Sequence, residues 1–298
     1  MELLWSIASI RSEILDKIIS LVTRLGEEII VIVVLCAIFW CIDKKLAYCI
    51  GISYFLSGLL VQGLKISFRI DRPWILDSSF KPVASAVEGA SGYSFPSGHT
   101  ASASSLFGTL GLSLKKGWQK TVCFILVLIV AFSRMYLGVH TLLDVSVAAL
   151  VSLVIAFIIV KVYGKNNDET LRKQIVFPII LAVIAVLTVI LAATLYNSNI
   201  IVEGYVTDCL KAAGAGIGFA IGMFIEKKYV NFSTKCRSIW LQIAKYAFGL
   251  VGVLAIKEGL KLVIGIGLVA DTFRYVLIGL FMTAIYPILI KKLFQVKE

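Results

Sequence analysis

Long apolar blocks separated by short polar connections run through most of this chain of 298 residues. The blocks fall at about 27–42, 46–68, 97–114, 120–137, 141–162, 174–195, 207–225, 237–256 and 271–290. Each approaches the ~20 residues that an α-helix needs to cross the hydrocarbon core of a bilayer, so nine spanning helices are expected. Ahead of them, Leu3, Ile7, Ile10, Ile14, Ile18 and Leu21 recur at helical spacing, with Arg11, Glu13, Asp16 and Lys17 on other faces. That pattern predicts an amphipathic helix over residues 1–26 that lies in the membrane interface or packs on the bundle. It lacks the compact apolar core and small-residue cleavage site of a signal peptide.

Composition agrees with the pattern. Hydrophobic residues make up 59% of the chain and charged residues 16%, and the mean hydropathy is +0.94. These values describe an all-α, polytopic transmembrane helix bundle. A formal charge of +11 raises the question of nucleic acid, but the Lys and Arg residues sit between apolar blocks, where they set topology and meet anionic headgroups. Membrane lipids are therefore the expected partners, and nucleic acid is not. Cys36, Cys41, Cys49, Cys123, Cys209 and Cys236 lie in or beside apolar blocks without metal-ligand spacing and read as small buried hydrophobes, with no disulfide framework and no zinc site.

Basic clusters at Lys44-Lys45, Lys115-Lys116 with Lys120, Lys161 to Lys173, Lys227-Lys228 and Lys291-Lys292 fall on alternate connections, which the positive-inside rule makes cytoplasmic. The opposite face then receives the segment from Arg69 to Phe95, the turn near Arg134 to His140, and the loop from Tyr196 to Val206. The amino terminus lies outside, although Arg11, Lys17 and Arg24 go there with it. The absence of targeting signals points to a bacterial cytoplasmic membrane.

Three polar islands interrupt the apolar pattern, and they hold both histidines of the chain. The first is Lys65-x6-Arg72-Pro73, the second Pro96-Ser97-Gly98-His99, and the third Ser133-Arg134-x5-His140-x3-Asp144. Together they offer fixed cations for an oxyanion, two imidazoles for proton or nucleophile work, and one orienting carboxylate, a set suited to handling phosphate. Asp144 follows His140 by four residues, so a helix opening here places the two on one face. The long polar segment 69–95 brackets the islands as a lid or a lateral gate. Its acidic residues Asp71, Asp77 and Glu88 lack the spacing of a carboxylate metal site and read as solvated charge, or as partners of Arg69, Arg72 or Lys81.

All fixed positions of these islands match the tripartite signature of the type 2 phosphatidic acid phosphatase superfamily, which the chain resembles over residues 65–144. The resemblance implies a membrane-embedded lipid phosphatase or diphosphatase that uses neither metal nor cofactor. It implies further that His140 is the nucleophile, that Asp144 fixes its tautomer, and that His99 is the general acid. Lys65, Arg72 and Arg134 would hold the phosphoryl oxygens, with Ser97 and the Gly98 amide donating from the start of a helix. The substrate class so implied is a phosphorylated lipid: a polyprenyl diphosphate, phosphatidylglycerol phosphate or phosphatidate. The other reading is a protein that binds or translocates such lipids without hydrolysing them.

The chain therefore divides into an amino-terminal segment 1–26, a phosphatase core 27–163 of five to six spans, and additional spans in 164–298, with a boundary in the polar stretch Gly164 to Lys173. The additional spans carry no second catalytic signature, and a partner-docking or regulatory role is one reading of them. Gly214, Gly218 and Gly222 recur every fourth residue and form a smooth helix face, for packing within the chain or for a homodimer. Lys257, Glu258, Lys261, Asp271 and Arg274 are either interface anchors or the lining of a headgroup cavity.

Overall fold

The computed structural model describes residues 1–90, 92–164 and 171–294, the side chains of 171–174 excepted. Among the described residues the regular structure is entirely helical. Two short helices, α1 (Glu2–Ala8) and α2 (Glu13–Val22), precede nine longer helical segments. These are α3 (Glu28–Cys41), α4 (Lys44–Phe68), α5 (98–113), α6 (Gly117–Tyr136), α7 (Leu142–Gly164), α8 (Leu171–Asn197), α9 (Glu203–Val230), α10 (Ile239–Ile264) and α11 (Leu268–Leu293). Each coincides with an apolar block of the sequence.

Seven of the nine are long and apolar enough to cross a membrane; α3 and α5 are not among them. The fourteen residues of α3 reach only ~21 Å, short of the ~30 Å hydrocarbon core. Most of α5 is buried in protein, with Ser104, Ser105 and Thr109 fully enclosed, so its composition answers to neighbouring helices and not to lipid.

The amphipathic segment expected over 1–26 is two helices instead of one. Ser12 ends the first course of the chain and starts α2 by accepting a hydrogen bond from the Leu15 amide. Between the two helices Arg11 reaches inward, where Nε donates to the Tyr136 carbonyl at 2.8 Å and Nη1 to the Lys81 carbonyl at 2.7 Å. Leu4 and Ile7 of α1 are buried with Phe80, Leu137 and Val139. By contrast α2 buries none of its side chains and turns Ile14, Ile18 and Leu21 outward, the disposition of a helix lying in the interface.

The main core contains residues of α3 to α11 in one cluster, from Val31 to Ile290. In particular, α8 and α9 pack on α4, so the second half of the chain shares an interior with the first. The boundary expected between Gly164 and Lys173 falls largely outside the described residues. The glycine face of α9 is occupied by α11. A Cβ on Gly214 comes within 2.8 Å of the Thr272 carbonyl, and on Gly218 and Gly222 it overlaps Val276 and Thr283. The face expected as a possible homodimer contact is therefore consumed within the chain, since its lack of side chains lets two helix backbones meet. Cys36, Cys49, Cys123 and Cys209 are buried free thiols.

One end of the bundle gathers basic connections: Lys44 pairs with Glu226 at 2.8 Å, and Lys291 donates to the Val230 carbonyl. The three polar islands lie at the other end, at the carboxyl ends of α4 and α6 and the amino ends of α5 and α7.

Candidate active site

Local backbone chemistry positions each island. The helix α4 ends at Arg69, which takes a left-handed conformation (φ 52°); Arg72 follows in extended geometry because Pro73 excludes the helical region for the residue before it. The returning end of the loop runs beside this exit, the Ser94 amide donating to the Ile70 carbonyl at 2.7 Å. Ser97 then caps α5, its hydroxyl oxygen accepting from the Thr100 amide at 3.4 Å and the Thr100 hydroxyl at 3.0 Å. Both bonds use acceptor capacity, so the Ser97 hydroxyl proton is left to donate. A Cβ at Gly98 meets no atom within 4 Å, and the space beside that first helical residue is open to an anion.

His140 sits two residues before α7 and is 2% exposed. Thr141 caps α7 in a reciprocal arrangement with Asp144: the Asp144 amide donates to Thr141 Oγ1 at 3.3 Å, and the Thr141 amide donates to Asp144 Oδ2 at 2.7 Å. The carboxylate folded back in this way lies 3.5 Å from His140 Nδ1. The spacing of four thus brings His140 and Asp144 together, but through a capping box and not by a shared helix face, because His140 precedes the helix.

The tautomer of His140 follows from its neighbours. Arg72 Nη1 lies 2.9 Å from His140 Nε2 and 3.4 Å from Nδ1, so the guanidinium sits against both ring nitrogens and favours a neutral ring. The Asp144 carboxylate on the Nδ1 side can only accept, which assigns the ring proton to Nδ1 and leaves the Nε2 lone pair free. The Arg72 guanidinium is held by the Gly92 carbonyl (Nε, 2.9 Å) and the Val139 carbonyl (Nη1, 2.8 Å). Burial, then Arg72, Arg134 and Lys65, push His140 well below the ordinary imidazole range, so it is neutral at neutral pH.

His99, on the first turn of α5, shares this environment: Arg134, Lys65 and Arg72 act electrostatically on both imidazoles. Arg134 is 3% exposed; its Nη1 donates to Thr23 Oγ1 at 2.9 Å, while Nε has no protein acceptor. Lys65, one turn before the end of α4, lies in the field of Arg72, Asp144 and Arg134, and also of Asp208 on α9. All eight residues singled out in the sequence thus converge at one end of the bundle. Of the acidic loop residues, Asp77 accepts from the Trp5 indole at 3.2 Å and from the Ser79 amide at 3.0 Å, with no cation among these partners.

Three participants had escaped the sequence reading. The Ser94 hydroxyl donates to Asp144 Oδ2 at 2.6 Å and lies 3.5 Å from His140 Nδ1; its place two residues before Pro96 was the available signal. Thr23 and Asp208 are each far from the islands in sequence, and no local pattern marks them.

Two sequence models match the chain. That of the PAP2 superfamily covers residues 46–168, which include all eight residues, and that of the PAP2 superfamily phosphatase, transmembrane extension, covers residues 210–298. No curated protein and no solved structure matches it. Both matching models describe one superfamily, between them they take in more than half of the chain, and the helical bundle agrees with each: this protein is a membrane phosphatase of the PAP2 superfamily, carrying that family's transmembrane extension.

Proposed function

We propose that the protein hydrolyses the phosphate monoester or diphosphate of a membrane lipid through a phosphohistidine on His140. The observation that carries this reading is the presentation of His140: a buried imidazole with Arg72 2.9 Å from Nε2 and the Asp144 carboxylate 3.5 Å from Nδ1. A substrate phosphoryl group entering among Lys65, Arg72 and Arg134 draws the guanidiniums onto its oxygens and frees Nε2 to attack phosphorus. The N–P bond forms as the bond to the leaving oxygen breaks; His99, which burial and then Arg134, Lys65 and Arg72 push down to about 3 in the free protein, takes up a proton as the anionic phosphate enters among those cations and passes it to that oxygen. His99 then takes a proton from water, whose oxygen attacks phosphorus, releasing phosphate and restoring neutral His140. Asp144 stabilises the imidazole while it is phosphorylated and positively polarised.

Polyprenyl diphosphate, phosphatidylglycerol phosphate and phosphatidate are the leading substrates, because membrane-anchored lipids present their phosphates at the level of the end of the bundle. The position of the site opposite the basic connections supports an outer-face location in a bacterial cytoplasmic membrane under the positive-inside rule. Phosphate release by detergent-purified protein from these lipids, a sphingoid phosphate and a soluble sugar phosphate tests the reading. Release from at least one lipid in preference to the sugar phosphate is expected; tight lipid binding without any release would favour a binder or translocator. Three fixed cations supply the charge that a metal provides elsewhere, so EDTA is expected to leave the rate unchanged, and a strict Mg²⁺ requirement would contradict the mechanism.

The pH dependence has a defined sign. Acid protonates His140 Nε2 and removes the nucleophile, and burial among cations opposes that protonation. The acid limb of kcat/KM, which reports the free enzyme, is therefore expected below the ordinary imidazole value of ~6.5 for its His140 component. Replacing Arg72 with Gln should move that component toward higher pH.

A further inference from the structure

A cavity of about 510 Å³ begins beside His99 and runs inward between the two halves of the molecule. Its volume is in the range of about 300–1,000 Å³ typical of ligand sites. One wall is built by α3, α4 and α5, and the other by α9 and α11 of the transmembrane extension, with Lys257 of α10 at the rim. Polar groups are concentrated near the catalytic end, where Asp208, Lys211 and Lys257 stand with Gln62 and Glu28. Lys257 pairs with Glu28 across the halves at 3.6 Å. Further in, Val31, Leu35, Phe55, Ile278 and Met282 make the lining largely apolar.

The depth is legible from the helices. The lining runs from Asp208 to Ala215 on α9 and from Tyr275 to Met282 on α11, ~10 Å in each case at 1.5 Å per residue. That is about two-thirds of the half-thickness of a ~30 Å hydrocarbon core. The space is made by small residues on both walls, among them Gly58, Ala101, Ala212 and Ala215. Gly58 is the clearest case, since a Cβ built on it meets no atom within 4 Å.

We infer that this cavity is a chain-binding site, in which the hydrocarbon chain next to the scissile phosphate enters between core and extension, and that the extension thereby sets chain-length selectivity. The inference rests on the lipid phosphatase reading above. A ligand with its phosphate at His99 and His140 meets polar groups first and apolar walls afterwards, the order of groups along a single-chain lipid phosphate. An aqueous ligand gains little from the deeper walls, whereas each buried methylene contributes favourably to binding.

The test uses the full-length protein, a series of alkyl phosphates from short to long chain, and the corresponding non-hydrolysable alkyl phosphonates. Gly58→Leu puts a side chain on the cavity lining at a position where the Cβ meets no atom within 4 Å and the change improves helix propensity; thermal unfolding of the purified variant checks that it is folded. Excluding two or three methylenes is expected to lower the long-to-short ratio of kcat/KM about tenfold or more, and to weaken long-chain phosphonate binding in parallel. Gly63→Leu is the control: Gly63 lies on the same helix with equal room for a side chain, outside the cavity, and the wild-type chain-length profile should persist. Ala212→Leu, which fills the cavity from the extension, should reproduce the Gly58→Leu profile. An unchanged profile in both cavity variants overturns the inference while leaving the phosphatase reading intact. Chain-dependent phosphonate binding without hydrolysis by the wild type overturns the phosphatase reading and upholds the chain site; binding that ignores chain length overturns the site.

Discussion

Replacing His140 with alanine is expected to lower phosphate release by about 10⁴-fold or more, because the covalent route disappears and water must attack the substrate directly. The loss should fall on kcat and kcat/KM alike, with substrate binding retained by Lys65, Arg72 and Arg134. The variant remains folded for a visible reason. Arg72, the residue most exposed to the change, keeps its hydrogen bonds to the Gly92 and Val139 carbonyls, so no buried charge is stranded. Steady-state kinetics together with thermal unfolding of the purified variant checks both parts. Activity within tenfold of wild type would remove His140 from the reaction.

The second large effect is expected at Asp144. An Asp144→Asn side chain has nearly the same shape, and its remaining oxygen can still cap the Thr141 amide, so the stability cost is that of a weakened cap, ~1 kcal/mol. The catalytic cost is of another order. With an amide NH₂ turned toward His140 and the Ser94 hydroxyl competing for the one oxygen, Nδ1 no longer faces a carboxylate. The ring is then no longer held with its proton on Nδ1, and the fraction protonated on Nε2 cannot attack phosphorus. Loss of about 10³–10⁴ in kcat follows, by analogy with other orienting carboxylates. Near-normal unfolding with a collapsed rate is the expected signature. An equal collapse in stability would instead make Asp144 a structural cap alone.

Asp144 also shows what was legible in the chain and for what reason. Its separation from His140 identified the pair, yet the geometry invoked, one face of a helix, is not how the pair is made. Thr141 interrupts that face by capping α7, and the carboxylate folds back over the cap. Spacing constrained the outcome because two residues four apart around a helix start stay close in either arrangement. The spans were legible for a simpler reason, since lipid imposes a length and an apolar composition on any helix it surrounds. A helix surrounded by protein is also apolar, which is why the blocks at 27–42 and 97–114 read as spans although α3 has fourteen residues and most of α5 is buried. The break at Ser9–Ser12 was hidden because apolar spacing continues across it, whereas the Arg11 contacts that hold it involve Lys81 and Tyr136.

Residues that act across the fold were the least legible. Thr23 fixes Arg134 from a segment more than a hundred positions away, and Asp208 acts electrostatically on Lys65 from the start of α9. The glycine stripe of α9 was read correctly as a close-packing face, but only the structure identifies α11 as what fills it. The same stripe has a functional corollary: by drawing α11 against α9 it fixes the relative position of two helices that wall the cavity beside His99.

The measurement that tests the central claim most directly is trapping of the phosphoenzyme. Wild-type protein is mixed with a radiolabelled lipid phosphate that it hydrolyses, quenched in alkali within a turnover, digested and mapped. The account predicts an acid-labile, alkali-stable label on the peptide containing His140, absent from the His140→Ala protein. Hydrolysis that proceeds at full rate with no label on His140 at any quench time, and with the His140→Ala variant still active, would contradict it.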